Sequence, residues 1–339
     1  MNLFGLQFSD GETTSASSGI HKPQRSHPDG AEVVPPCMKR PSAAPPIHHS
    51  ALSSQSSPLS LLRSPLLALS FLFFAIADVS SAQSLFPRFR GRAPDLFDRG
   101  NVPEWPVDPG FKQDVFSFAR LKYTSHGGGF WGGGRRWAID APEADLNLLF
   151  RLQQMTSLKV NPNLTFIEIT PENLANYPFV YIVEPGGLEF SEAEVTALRS
   201  YLLNGGFLMV DDFWGDDEWE NFYQQIKRVF PDREYTELPL EHPIFHSVFD
   251  LKAKPQMPSI DVFLSTGLTY EEGGRTGSKD VHYRGFFDDK GRLAVIICHN
   301  TDLGDGWERE GEDPTYFQRF SEKQAYPMMI NIIFYAMTH

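Results

Sequence analysis

The stretch FVYIVEPGGLEFSEAEVTALRSYLLNGGFLMVDD, residues 179–212, decides the fold. It opens on five apolar residues, Phe179 to Val183, and closes on four more, Phe207 to Val210, before the aspartates. Each run is too short for a helix and too continuous for a strand with one wet face. Between them Ser191 and Glu194 have the spacing of a capping box, heading an amphipathic segment with Val195, Leu198 and Leu202 on one face. Asn204-Gly205 supplies a left-handed stop. Strand, helix, strand in that order imply a parallel pair joined by a right-handed crossover and buried on both faces. Sheets of this kind take ligands outside the carboxyl ends of their strands. There the first strand runs into Glu184, Gly186 and Gly187, and the second into Asp211, Asp212, Phe213 and Trp214.

The same rhythm extends outward. Upstream, FSFARLKYTS alternates as a first strand through Phe116, Phe118, Leu121 and Tyr123; Asp140, Pro142 and Glu143 start a helix running toward Met155. LTFIEI is a further strand and PENLANY a helical turn. Downstream, DDEWENFYQQIKRVF is helical and VHYRGFFDDKGRLAVII is a hairpin turned at Asp288–Gly291. From Thr315 the chain is helical again, with Met328, Ile332 and Tyr335 on one face and Ile333 and Phe334 widening it. A helix that apolar is expected to pack over the sheet, and at about ten residues its apolar stretch is too short to span a bilayer.

Residues 1–62 are rich in Ser and Pro without apolar periodicity and read as a disordered extension. Residues 63–82 combine Arg63, the apolar run Leu66–Ala77 and the small residues Ser80 and Ala82, the pattern of a signal peptide cleaved near Ala82. An uncleaved anchor is the alternative, and Met38 is an alternative start to Met1. Residues 83–113, punctuated by Pro and Gly, form an extended linker or arm, and residues 114–339 the α/β domain. The expected location is therefore periplasmic or extracellular.

The net charge is −13, and residues 1–82 contribute five Lys/Arg against five Asp/Glu, so all of it resides in the remainder. Such a surface repels phosphate backbones, which argues against nucleic acid as a partner. Only Cys37 and Cys298 occur, so the expected exported chain has no disulfide framework and no thiolate metal site. Cys298 ends the apolar run LAVII and reads as a structural residue rather than a nucleophile.

The runs YPFVYIVEPGGLEFSEAEVTALRSYLLNGGFLMVDDFWG, EHPIFHSVFDL and ICHNTDLGDGWE resemble a bacterial family known as domain of unknown function 4159. That family is in turn similar to class I glutamine amidotransferase-like and trehalose-utilisation-type domains. The likeness covers residue 114 to the C-terminus and implies a flavodoxin-like three-layer α/β/α sandwich with a mostly parallel sheet. Amidotransferases of this class place a nucleophilic Cys on the sharp turn after a strand, where this chain has Asp211 and Asp212. Thioester chemistry at that turn is thereby excluded.

Other constellations carry two readings each. Asp211 and Asp212 suit a hard cation or an acid/base pair; alternatively one caps the following helix or pairs with an arginine. His299, Asn300, Asp302, Asp305 and Glu308 form an oxygen-rich run that is either a hydrogen-bonded turn or a metal loop, although Gly304 breaks the EF-hand spacing. Pro243 argues against His242 and His246 sharing a helix face for zinc. HGGGFWGGGRRW holds Gly127, Gly129 and Gly132 in a dinucleotide-like spacing, but a loop carrying Arg135 and Arg136 over the strand edge is the stronger reading. Trp131, Trp137, Trp214, Trp219 and Trp307 line a cleft or belong to the core. No catalytic residue, metal or cofactor is assigned from the sequence. The missing nucleophile favours a non-catalytic binding module for a small molecule, glycan or protein. The alternative is a hydrolase or carbohydrate-active enzyme working through Asp211 and Asp212.

Overall fold

The computed structural model describes residues 96, 98–111, 114–126 and 135–339. The expected disordered extension, signal segment, first part of the arm and glycine-rich run with Trp131 lie outside the described residues.

Among the described residues there are nine strands: β1 (Ala119–Lys122), β2 (Thr124–Ser125), β3 (Thr165–Glu168), β4 (Phe179–Val183), β5 (Leu188–Glu189), β6 (Phe207–Asp211), β7 (Thr236–Glu237), β8 (His282–Phe287) and β9 (Leu293–His299). Seven build one sheet in the order β3-β1-β4-β6-β9-β8-β7, while β2 and β5 pair separately. From β3 to β9 the neighbours are parallel; β8 runs antiparallel to β9, and β7 to β8. The fold is thus mixed α/β around a large, mostly parallel sheet, as the repeated strand–helix rhythm requires.

Helices α1 (Glu143–Met155), α2 (Pro171–Leu174), α3 (Glu192–Leu203), α4 (Gly215–Val229), α5 (Ile260–Thr266), α6 (Asp305–Glu308), α7 (Pro314–Tyr316) and α8 (Tyr326–Thr338) connect and cover the strands. Every residue of β4, β6 and β9 is buried. Because side chains alternate, Phe179, Tyr181 and Val183 enter one apolar layer with Leu148, Leu149 and Leu152 of α1 and Met328, Ile332 and Ile333 of α8. Val180 and Ile182 enter the other, with Val195, Leu198 and Leu202 of α3 and Phe222 and Ile226 of α4. The capping box of α3 is complete: Glu194 N–H donates to Ser191 Oγ at 3.3 Å, and Ser191 N–H to Glu194 Oε2 at 2.7 Å. The stop after α3 rests on Gly205, whose φ is +112°, while Asn204 stays at −103°.

Two local readings change. The first strand is regular only over Ala119–Lys122, and its charged Arg120 is 1% exposed. A cation that deep needs a partner, and Asp145 at the start of α1 grips it at 3.3 and 2.5 Å. The terminal helix is not continuous: a π-helical segment, Phe317–Ala325, separates α7 from α8. Pro327 has no N–H to give the carbonyl four residues back and its ring crowds that carbonyl, which favours a widened turn just before it. Among the described residues no helix is long and apolar enough to cross a membrane.

Candidate functional site

The parallel strands β1, β4, β6 and β9 end on one edge, and four chain segments converge there. Val183 pairs with Asp211, and Glu184 N–H donates to the Asp211 carbonyl at 3.1 Å, so Glu184 and the aspartate pair are neighbours. Beyond β9, Asn300 N–H donates to the Phe213 carbonyl at 3.0 Å, which brings the segment Asn300–Glu308 alongside. The fourth segment is the turn before α1. Arg120 donates to the carbonyls of Trp137 and Ile139, at 3.2 and 2.6 Å, and so fixes the turn carrying Asp140.

Left-handed backbone marks this edge. Asp140, Glu184, Asp212 and Asn300 have φ of 60°, 46°, 55° and 60°, and they are the four non-glycine residues with positive φ among those described. Such conformations are costly outside glycine and persist where surrounding structure enforces them.

Two sets of carboxylates result. Asp140, Asp212 and Asp302 have oxygens within 4.8 Å of one another, and so do Asp140, Asp305 and Glu308; Asp140 belongs to both. Asp212, Asp302 and Asp305 are 8%, 4% and 7% exposed. Burial, and after it the repulsion of neighbouring acids, holds Asp140, Asp212 and Asp302 well above the ordinary carboxylate range. Glu308 is pushed up to about 8 by burial and by Asp305. Asp211 lies beneath them, wholly buried. Its Oδ2 accepts from Gly304 N–H at 3.1 Å and faces the Tyr181 hydroxyl at 3.4 Å, and burial raises its pKa to about 8. Gly304 is required by space: a Cβ there would stand 2.9 Å from Asp140 Oδ2 and 3.4 Å from Asp302 Oδ1.

Two arginines form the rim. Arg136 lies 3.8 Å from Glu184 and 3.9 Å from Glu218; Arg275 lies 3.8 Å from Glu218 and 3.9 Å from Glu271. Neither is locked in a short, two-pronged pair, so both guanidiniums retain donors. Glu184 is raised to about 7, chiefly by burial, with Arg136 opposing and Glu218 and Glu271 adding to the rise.

The remaining expected residues serve the frame. Asn300 is wholly buried; its Oδ1 accepts from Gly215 N–H at 2.8 Å and its Nδ2 donates to the Gly277 and Asp280 carbonyls, both at 2.7 Å. It ties the start of α4 to the loop that carries Arg275. His299 accepts from Arg284 at 3.0 Å and donates from Nε2 to the Gly215 carbonyl at 3.0 Å. Burial, then the charge of Arg284, lowers its pKa to about 3, so it is a neutral strut. Trp214 is buried and donates its indole N–H to Asp212 Oδ1 at 3.1 Å; Trp137 and Trp307 are buried as well. Gly186 leaves room for the Glu218 side chain, and Gly187 for the His126 carbonyl. Arg135 is exposed, one residue from the rim. His242 and His246 flank a short 3-10 turn, Pro243–Phe245, where His246 bonds Asp250 and the Leu240 carbonyl. A groove of about 450 Å³ between α2 and α3 lies at the opposite edge of the sheet near Tyr177 and Gly206.

Asp140 was not a site candidate in the sequence, where it reads as a helix start. No local pattern announces it, because the Arg120 contacts that place it arise from another strand. Arg275 likewise sits in an unremarkable polar loop.

A family model described as Domain of unknown function (DUF4159) matches residues 117–337. No curated protein matches the chain.

Proposed function

The chain belongs to the DUF4159 family, whose membership brings no activity, and from the site itself we propose a binding module that takes a small, oxygen-rich anionic ligand at the carboxyl edge of its sheet. The observation that carries this reading is the gathering of the four left-handed non-glycine residues among those described, from four segments, onto that edge. The rim arginines Arg136 and Arg275 supply donors for the anionic group, and the enclosed carboxylates beneath supply the polar floor. The proposal includes the finer fold reading, a flavodoxin-like sandwich similar to class I glutamine amidotransferases. It also includes export, to be checked by mass spectrometry of the secreted chain, where an intact Leu66–Ala77 segment would count against cleavage near Ala82. A cysteine mechanism has no support: the turn after β6 holds Asp212, and Cys298 is wholly buried with its thiol pushed well up by burial.

The test is thermal shift of the full chain with inorganic phosphate, citrate, glucose 6-phosphate and glucose. At least one of the three anions should raise the Tm while glucose does not, and Arg136→Ala and Arg275→Ala should each reduce the shift. A flat panel, or shifts unchanged in both variants, would sink the reading.

One observation favours a second reading as a hydrolase: Glu184, poised at about 7, suits a general acid or base. In that case Glu184→Gln should abolish any turnover of p-nitrophenyl glycosides or phosphate esters, and absence of turnover in the unaltered chain removes this reading.

A further inference from the structure

We propose that Asp140, Asp212 and Asp302 hold a hard divalent cation, and that Asp140 bridges it to a second cation position formed with Asp305 and Glu308. The inference rests on the carboxyl edge being the working face, and it adds the ligand chemistry of its floor.

Geometry comes first. Oxygens around Mg²⁺ or Ca²⁺ stand about 2.0–2.6 Å from the ion, so any two are at most about 5 Å apart. Each carboxylate triad meets that limit, with its atoms within 4.8 Å of one another. The donors come from three well-separated places in the chain and are fixed by separate devices: Arg120 holds the Asp140 turn, the Trp214 indole orients Asp212, and the Asp305 N–H donates to Asp302 Oδ1 at 2.8 Å.

The second observation concerns unmet acceptors. Asp140 Oδ2 is enclosed and receives no hydrogen bond, and neither does Oδ1 of the wholly buried Asp211, whose Oδ2 accepts from Gly304 N–H. A buried acceptor without a donor destabilises the fold, more so when charged. Among the described residues none of Asp140, Asp212, Asp302, Asp305 and Glu308 makes an ion pair. Of the nearby cations, Arg120 pairs with Asp145 and Arg309 with Asp261 and Glu312, while Arg136 and Arg275 stand over the rim acids Glu184, Glu218 and Glu271 rather than over this set. A divalent ion answers both the enclosed oxygen and the crowded charge. Donor chemistry sets its class, since carboxylates without Cys or His select Mg²⁺, Ca²⁺ or Mn²⁺ over zinc.

Titration calorimetry of the full chain with MnCl₂ and CaCl₂ tests this. The unaltered chain should bind at least one of the ions. Asp302→Asn and Asp212→Asn should each weaken binding about tenfold or more. Gly304→Ala, which keeps every charge but crowds Asp140, should weaken it too. In metal-free buffer the two Asn variants should melt at or above the unaltered Tm, because each removes a charge from a like-charged set; this shows that lost binding is not lost folding. Absence of binding heat, or an affinity in both Asp302→Asn and Gly304→Ala equal to that of the unaltered chain, would overturn the cation site. An anion response that survives such a result leaves the binding-module reading standing, whereas cation binding with a flat anion panel would remove that reading and keep the site.

Discussion

Asn300 shows how much one side chain can carry. Its left-handed backbone and three hydrogen bonds hold the start of α4, which follows Asp212, against the loop bearing Arg275. Asn300→Ala removes all three bonds inside the protein and leaves their partners unmet, so it should cost about 3 kcal/mol or more in urea unfolding. A loss below about 1 kcal/mol would show that water or a shifted loop replaces the side chain. From sequence, Asn300 was visible as a polar residue after a strand, and Asp212 and Asp302 as strand-end acids. What residue patterns did not convey was direction. Whether Asp211 faces down to Tyr181 or Asp212 faces outward depends on a single positive φ, and whether a tryptophan lines a cleft or fills the core depends on layers contributed by distant helices.

At the scale of elements, local chemistry explains what was legible. The α3 helix declares both ends, through Ser191 with Glu194 and through Gly205, and the β8–β9 hairpin declares its turn. In that turn the Asp288 carboxylate accepts from the N–H groups of Lys290 and Arg292, both at 2.9 Å. Ser191→Ala should therefore cost about 1 kcal/mol, read as a lower urea midpoint at unchanged m-value. No measurable change would mean that the cap is replaced by solvent. The π-helical segment before α8 was not legible. Its widening reflects Pro327 acting on a helix already held by packing, with Ala325 lying against Gly306 of α6 so closely that a Cβ at Gly306 would be 2.4 Å away. The two-residue β7 was missed because so short an edge strand leaves no periodicity to read.

For the whole molecule the parallel core was legible because β4 and the first four residues of β6 are continuous apolar runs joined by one helix. The position of the last hairpin was not, since pairing order between distant strands leaves no mark in composition. The acidic floor also sets how stability responds to pH. Glu184 is raised to about 7, and Asp211 and Glu308 to about 8, with burial the main cause in each. These groups keep protons in the fold that the unfolded chain releases near its ordinary carboxylate range. Their contribution is complete below that range and is lost as pH rises toward about 8. His299 acts in the opposite sense, since its pKa is lowered to about 3, but that effect is complete by the ordinary histidine value of 6.5. Between pH 6.5 and 8 the carboxyls act alone among these groups. The metal-free Tm should therefore fall over that interval, and fall less in Asp212→Asn; a Tm that is flat or rising there would contradict the electrostatic picture.

The sheet order has one more consequence. β9 is the last strand in the chain yet lies in the interior of the sheet, between β6 and β8. A growing polypeptide that has not yet reached Leu293 leaves the outer side of β6 with open amides and carbonyls, a template for pairing with other chains. The acidic floor is likewise incomplete until Asp302 arrives behind β9. Assembly of the working edge is thus a late event in synthesis, and shortening the chain from its C-terminal end would remove the floor and expose a sticky seam in the same stroke.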